Sequence, residues 1–460
     1  MTKLAVAAAG ALVPAAALAS TPGQVDSGDT ALVLLSAGLV LLMTPGLAFF
    51  YGGLVRAKNV VHTMILSLVC MALVGVLWGL VSYSLSFSTG PGALDRFVGG
   101  LSFVGLRHVG AGVDRELAPT IPHAAFMLFQ AMFAVITPAL ISGAIVERVR
   151  VKAFVLFVAL WSVVVYAPVA HWVWAPGGWL RRLGALDFAG GTVVHINAAA
   201  AALVFAIVLG PRRGLKHPTV LPHNVPFAIL GAGLLWFGWL GFNGGSALAA
   251  NGLAAYAFSN TFFAPAAAAL AWGLAELLFF HGKMSGVGLA SGAVAGLVAV
   301  TPAAGFVTPL AAMLLGALAG MASLLAVRYR PRLGLDDSLD VFAVHGVAAT
   351  LGALLTGVLA TKVVNPDGAD GSLHQLGVQA VGVLATYLWS GGLSLAIVKL
   401  VGLVTDLRAE EQDEWSGMDM SESGERAYIT TDLEGGATGH GARPEGFLGH
   451  SPGLHSASAE

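Results

Sequence analysis

The sequence predicts an all-α polytopic membrane protein with eleven transmembrane helices, built as two inverted five-helix repeats plus a peripheral eleventh helix. Three observations carry that prediction. Only 10% of the residues are charged, against about 25% in a soluble domain. The apolar residues gather into eleven runs of roughly 20, the length needed to cross a hydrocarbon core. Short motifs of the first half recur in the same order in the second. The 60 glycines fit helices packed closely in lipid. A net charge of -2 points to no nucleic-acid partner, and the single Cys70 allows neither an intrachain disulfide nor a cysteine-rich metal site.

In chain order, residues 1–19 read as a signal peptide. Lys3 supplies the charged end, Leu4 to Ala17 the apolar core, and Ala17-Leu18-Ala19 the cleavage motif. The spans follow at 30–53, 59–86, 121–146, 152–174, 189–209, 224–249, 257–280, 285–302, 306–328, 341–362 and 376–404. Together they form one membrane domain over 30–404. One set of alternate loops carries Arg56, Lys58, Arg148, Arg150, Lys152, Arg212, Arg213, Lys216, Lys283, Arg328, Arg330 and Arg332. The other carries Arg96, Arg107, Arg115, Arg181, Arg182 and Lys362. Basic loops stay in the cytoplasm, so the N-terminus is expected outside and the C-terminus inside. The charged stretch 405–428 reads as a cytoplasmic segment. Residues 429–460, rich in Gly, Ser and His towards the end, read as disordered.

The repeats are expected over about 30–209 and 224–362. Phe50-Tyr51-Gly52-Gly53 matches Phe242-Asn243-Gly244-Gly245, Thr137-Pro138-Ala139 matches Thr301-Pro302-Ala303, and His195 matches His345. Five crossings per repeat give the halves opposite topology, and such inverted repeats place a transport site near the midplane between them.

His195 and His345 each lie in an apolar run, where an ionisable side chain marks a pathway or a bundle interior. Two facing neutral imidazoles offer a small guest both donors and acceptors. Two separate histidines bonded to backbone remain the alternative. Zinc would need three or four protein ligands, and no Cys, Asp or Glu cluster lies near either histidine in sequence. No metal or other cofactor is therefore expected. Phe129, Phe133, Trp174, Trp236, Trp239 and Phe242 lie in or at the ends of spans 3, 4 and 6. Their ring faces attract small cations or close a dewetting constriction; ordinary helix packing and interfacial belts are the plainer reading. Asp187 fits a cation site or, better, a cap on span 5, and Asp340 fits the same cap on span 10. Glu276 is an acid inside span 7 with no partner evident in the sequence.

The chain resembles the ammonium transporters of the Amt/Mep/Rh family, and in particular the bacterial Amt type. The matching strings are AFFYGGLVRAKNV (48–60), FQAMFAVITPALISGAIVER (129–148), HWVW (171–174), LDFAGGTVVHINA (186–198), PHN (222–224), LLWFGWLGFNGGSAL (234–248), SGAVAGLVAVTPAAG (291–305), LDVFAVHG (339–346) and GMDMSESGERAY (417–428). Two departures are APGGWL after Trp174 and GVAAT after His345, where the family is richer in glycine.

The resemblance implies a homotrimer with one pore per subunit. It implies that Phe129, Phe133, Trp174 and Ser246 recruit the ammonium ion on the outer side, with Phe133 and Phe242 as a stacked gate. His195 and His345 would be the twin histidines of a hydrophobic pore, and Asp187 the structural acid behind the outer site. The tail motif would contact neighbouring subunits and respond to a PII-type signalling protein. The expected function is transport of ammonium or ammonia across the inner (plasma) membrane, with no enzymatic activity: a membrane metallohydrolase would need clustered ligands. Two alternatives stay open, an ammonium sensor acting through a PII-type partner and a passive channel for ammonia or carbon dioxide.

Overall fold

In the computed structural model, described here for residues 23–215, 221–280 and 282–428, eleven apolar helices follow one another in the expected order. They are α1 Ser27–Leu54, α2 Ala57–Phe87, α3 His123–Ile145, α4 Val151–Leu183, α5 Gly191–Leu209, α6 Val225–Ala247, α7 Gly252–Phe280, α8 Gly286–Val300, α9 Pro309–Leu333, α10 Phe342–Leu359 and α11 Leu373–Gly402. Ten are long and apolar enough to cross a membrane, and α8 is a shorter apolar helix of 15 residues. Large apolar side chains stand exposed around the bundle, among them Leu68 and Leu80 on α2, Phe262 and Leu278 on α7, Leu310 on α9 and Leu388 on α11. Such a surface belongs in lipid rather than water. The signal-peptide reading of 1–19 and the disorder expected for 429–460 lie outside the described residues.

The helices are not the whole fold. The long loop between α2 and α3 forms a small antiparallel hairpin, β1 Val113–Asp114 and β2 Ala118–Pro122. Its Thr120 and Pro119 carbonyls accept from the backbone N–H groups of Asp26 and Gly23, tying it to the start of α1. Below, the end of the bundle bearing this hairpin is the hairpin face; the opposite end, bearing residues 403–427, is the tail face.

α1 and α6 open the two sequence repeats, and they pack along each other at backbone contact. A Cβ on Gly231 would stand 2.6 Å from the Phe50 Cα and 2.7 Å from the Gly46 carbonyl oxygen, so no side chain fits there. After Trp174, α4 breaks at the APGG sequence and resumes as the short turn Trp179–Leu183. That break is the structural counterpart of the APGGWL departure.

α5 and α10 open alike. Both begin with a π-helical stretch, Gly191–Ile196 and Phe342–Val347, and each stretch contains a histidine. Each is capped by an aspartate eight residues before that histidine. Asp187 accepts from the N–H groups of Gly190, Gly191 and Thr192 at 2.6–2.8 Å. Asp337 accepts from those of Val341 and Phe342 at 3.0 and 2.6 Å. The cap on α10 is thus Asp337 and not the expected Asp340. Asp340 sits at φ +60 and pairs with Arg330 at 3.1 Å. The physical reason is backbone conformation: a residue directly before a helix caps it from an extended backbone, whereas Asp340 is left-handed and its carboxylate is turned to Arg330.

Candidate functional site

α3, α4, α6, the segment leading into α5 and the loops after α8 and α10 border a cavity of about 330 Å³ open to the hairpin face. Gln130, Phe133, Trp174, Asp187, Ser246 and Asp367 are part of its wall. Trp174 is oriented by its indole N–H, which donates to the Asp187 carbonyl at 3.2 Å. The Ser246 hydroxyl donates to the Phe242 carbonyl at 2.8 Å, which leaves its lone pairs free to accept from a guest. Asp187 contributes through the backbone it shapes: Gly190 at φ +110 lets the chain turn into α5 beneath the carboxylate. Burial pushes the Asp187 carboxyl up from its ordinary range, while the bonds from Thr192, Gly190 and Gly191 pull it back. The capping reading therefore holds.

The cavity floor is aromatic. Phe133 meets Phe242 with ring centroids 4.3 Å apart and planes tilted by 39°. Trp174 stands edge-on to Phe133 at 5.7 Å. Phe129 has no exposed surface and stands behind Phe133, also edge-on, at 4.9 Å. Trp236 belongs elsewhere: its ring lies near Phe262, which is on the outer surface of the bundle.

Beyond Phe242 lie the two histidines. The His195 ring is 6.1 Å from Phe242 and stacks on Trp239 at 5.2 Å. His345 stacks on His195 at 5.4 Å, with 20° between planes and the two Nδ1 atoms 3.3 Å apart. Residues 150 apart in sequence thus form one pair, and both rings are buried. A bond between two Nδ1 atoms needs a proton on one of them, so one ring donates and the other accepts. Trp239 is itself fixed by its indole N–H, which donates to Thr301 Oγ1 at 2.8 Å. That threonine belongs to one of the repeated motifs.

His345 also borders a second cavity, of about 510 Å³, open to the tail face. Tyr51, Arg212, Glu276 and Asp340 share its wall. Glu276, which had no evident partner in sequence, accepts from the Trp272 indole at 3.1 Å and from the Ser285 N–H at 2.8 Å. It closes the turn between α7 and α8. Burial pushes the Asp340 carboxyl up to about 7 against the pull of Arg330.

Beside this cavity runs a buried ionic network that sequence reading did not find. Arg212 bonds Glu147 at 2.7 Å and Asp336 at 2.8 Å. Glu147, at φ +71, also accepts from Arg56 at 2.9 Å and from Asn59 Nδ2 at 2.7 Å. Arg148 donates to Ser338 Oγ and to the Asp336 carbonyl, both at 2.6 Å. Burial pushes the Glu147 carboxyl up, but Arg212 and Arg56 overcome it and hold it at about 2.

The tail locks onto this network. Two short helices, α12 Glu411–Ser416 and α13 Met418–Ser423, lie against it. The Met418 N–H donates to Asn59 Oδ1 at 2.9 Å, and the His62 N–H to Asp419 Oδ1 at 2.8 Å. Glu414 is buried and takes Arg408 Nη2 at 3.0 Å and the Arg213 N–H at 3.2 Å.

Two cavities on opposite faces, separated by a phenylalanine pair and a buried histidine pair, define a polytopic membrane protein with a narrow, largely apolar path through the subunit. The comparisons narrow this class. Residues 31–428 match the model of the Ammonium Transporter Family. The chain is 47% identical over 406 residues to an ammonium transporter of Bacillus subtilis (strain 168), covering 87% of this chain and 98% of that one. It is 41% identical to the ammonium transporter Amt1 of Archaeoglobus fulgidus, covering 88% of this chain and 100% of that one. Among solved structures it resembles Saccharomyces cerevisiae Mep2, with a TM-score of 0.79 at 34% identity over 85% of this chain and 89% of that chain. The chain belongs to the Ammonium Transporter Family.

Proposed function

We propose that this protein moves ammonium by recruiting the ion, removing a proton and conducting ammonia past His195 and His345. That ammonium is the transported species follows from the family. The mechanism rests on one observation: the two cavities are separated by contacting rings, with Phe133 on one wall and His345 on the other.

The hairpin-face cavity is the recruitment site, with Phe133 and Trp174 offering ring faces to a cation and Ser246 accepting a hydrogen bond. Phe129 backs Phe133. Phe133 and Phe242 form the gate. Beyond it an unpaired charge would cost several kcal/mol even after relaxation, while ammonia keeps its hydrogen bonding through the imidazoles. Asp187 holds the entrance to α5. Potassium, of similar size and equal charge, has no proton to lose. That difference supplies the selectivity.

Oriented by its basic loops, the chain has the hairpin face outside and the tail inside, in the inner (plasma) membrane. The assembly is a homotrimer in lipid. Residues 405–428 are a regulatory segment. The bonds from Met418 through Asn59, Glu147 and Arg212 to Asp336, the neighbour of the α10 cap, support that role. A PII-type protein bound at the tail face would act on this chain of contacts.

The test is uptake into proteoliposomes of purified protein. Ammonium and methylammonium should enter, and a large excess of potassium should neither enter nor slow them. Potassium uptake comparable to that of ammonium would refute the mechanism.

A further inference from the structure

The amide of Gln130 is unexplained by the fold. Gln130 lies on α3 between Phe129 and Phe133 and borders the hairpin-face cavity. Its residue is 8% exposed, and its Oε1 has no hydrogen-bond partner. Buried amides are normally bonded, and leaving one unsatisfied destabilises the fold. In this rotamer Oε1 is the buried end of the amide; a half-turn of the terminal amide exchanges its oxygen and nitrogen ends and brings the carbonyl to the cavity side without moving the stem.

Three polar groups near it already have protein partners. The Trp174 indole is held by the Asp187 carbonyl, the Asp187 carboxylate by the start of α5, and the Ser246 proton by Phe242. What the wall still offers is acceptor capacity, on Ser246 and Gln130 beside the aromatic floor and on the exposed Asp367 carboxylate at the rim. An ammonium ion carries four N–H donors and no acceptor. Aromatic faces satisfy its charge but do not fix its orientation.

We propose that Gln130 is a further ammonium-binding residue, its amide oxygen accepting an N–H from the ion held against Phe133, Trp174 and Ser246. The proposal rests on the reading of this cavity as the recruitment site. It assigns Gln130 to binding and not to later steps: its contribution ends once the proton leaves and ammonia passes the gate.

The experiment measures ammonium uptake against concentration in proteoliposomes for Gln130→Leu, Gln130→Glu and Trp174→Leu. Gln130→Leu keeps much of the bulk and removes the acceptor. Hydrogen bonds to a charged group contribute about 1.5–3 kcal/mol, so the half-saturating concentration should rise tenfold or more with little change in maximal rate. Gln130→Glu keeps an acceptor and adds negative charge, so half-saturation should stay at or below that of the parent. A purely structural role would instead lower the maximal rate and leave half-saturation in place, and that result overturns the proposal. Unchanged kinetics in Gln130→Leu overturn it too. If Gln130→Leu does not fold, Gln130→Glu decides: tighter or equal half-saturation supports binding, and weaker half-saturation overturns it. Trp174→Leu separates the two readings. If it shifts half-saturation and Gln130→Leu does not, Gln130 alone is wrong; if neither shifts it, the recruitment site itself is wrong.

Discussion

Replacing His195 and His345 together by leucine is expected to cut ammonium flux by at least tenfold, or to admit potassium. The two rings stack with their Nδ1 atoms 3.3 Å apart, so one proton between them is shared. Leucine fills the space but strips the path of polar atoms, leaving ammonia without the hydrogen bonds it gives up on leaving water. Losing even one such bond, at about 1.4 kcal/mol, is a factor of ten. If water enters the altered space instead, an ion becomes tolerable there and selectivity falls. The single variants should behave differently from the double one, because the remaining imidazole keeps part of the polar path. Ion-specific uptake of the three variants, compared with the parent, checks this. Parental flux with parental selectivity in the double variant would remove the histidines from the mechanism.

The second large effect is on stability. Arg212→Leu should destabilise the protein by about 3–5 kcal/mol, the range for leaving a buried partner charge uncompensated. Glu147 and Asp336 both lose their principal counter-charge, and both side chains are essentially buried. The residual pairing of Glu147 with Arg56, and the weaker contact of Asp336 with Arg148 at 3.8 Å, cannot replace it. Thermal unfolding in detergent should show the loss. The pH dependence has a defined sign. Glu147 is held at about 2 against an ordinary value of 4.5. Its contribution to stability is therefore full above pH 4.5 and lost as the pH falls towards 2. The parent should lose stability over that window, and Arg212→Leu, which lacks one of the two guanidinium groups that depress Glu147, should lose less there. The tail should also loosen in this variant, because Asn59 bonds both Met418 and Glu147. Faster proteolysis within 405–428 is a second readout.

Much of the path was legible in the sequence, for reasons that are local. Lengths of apolar runs fix the helices, and helix ends agree within about five residues except at α4, which continues through its break to Leu183. The histidine pair was accessible because the repeat supplies a long-range alignment that single residues do not. The same logic would have found the α10 cap: Asp187 and Asp337 each precede a histidine by eight residues, whereas Asp340 precedes its histidine by five. What stayed hidden has partners that no local pattern names. Glu147, Arg212 and Asp336 lie 65 and 124 residues apart along the chain and look in sequence like ordinary loop charges. Gln130 is one polar residue on an apolar helix, and only the absence of a partner for its Oε1 distinguishes it. The hairpin is too short for its alternation to register. The aromatic pattern could not separate Trp239, stacked on His195, from Trp236, near the outer surface.

The central claim is that the proton leaves ammonium on the way through. Its most direct test is initial-rate uptake in heavy water with fully deuterated ammonium, against the same assay in ordinary water. Deprotonation on the path predicts a rate reduced by more than the higher viscosity of heavy water accounts for, and a reduction that changes when His195 or His345 is replaced. A rate lowered only by the viscosity, and equally in the histidine variants, would mean that the ion crosses intact and would contradict the account.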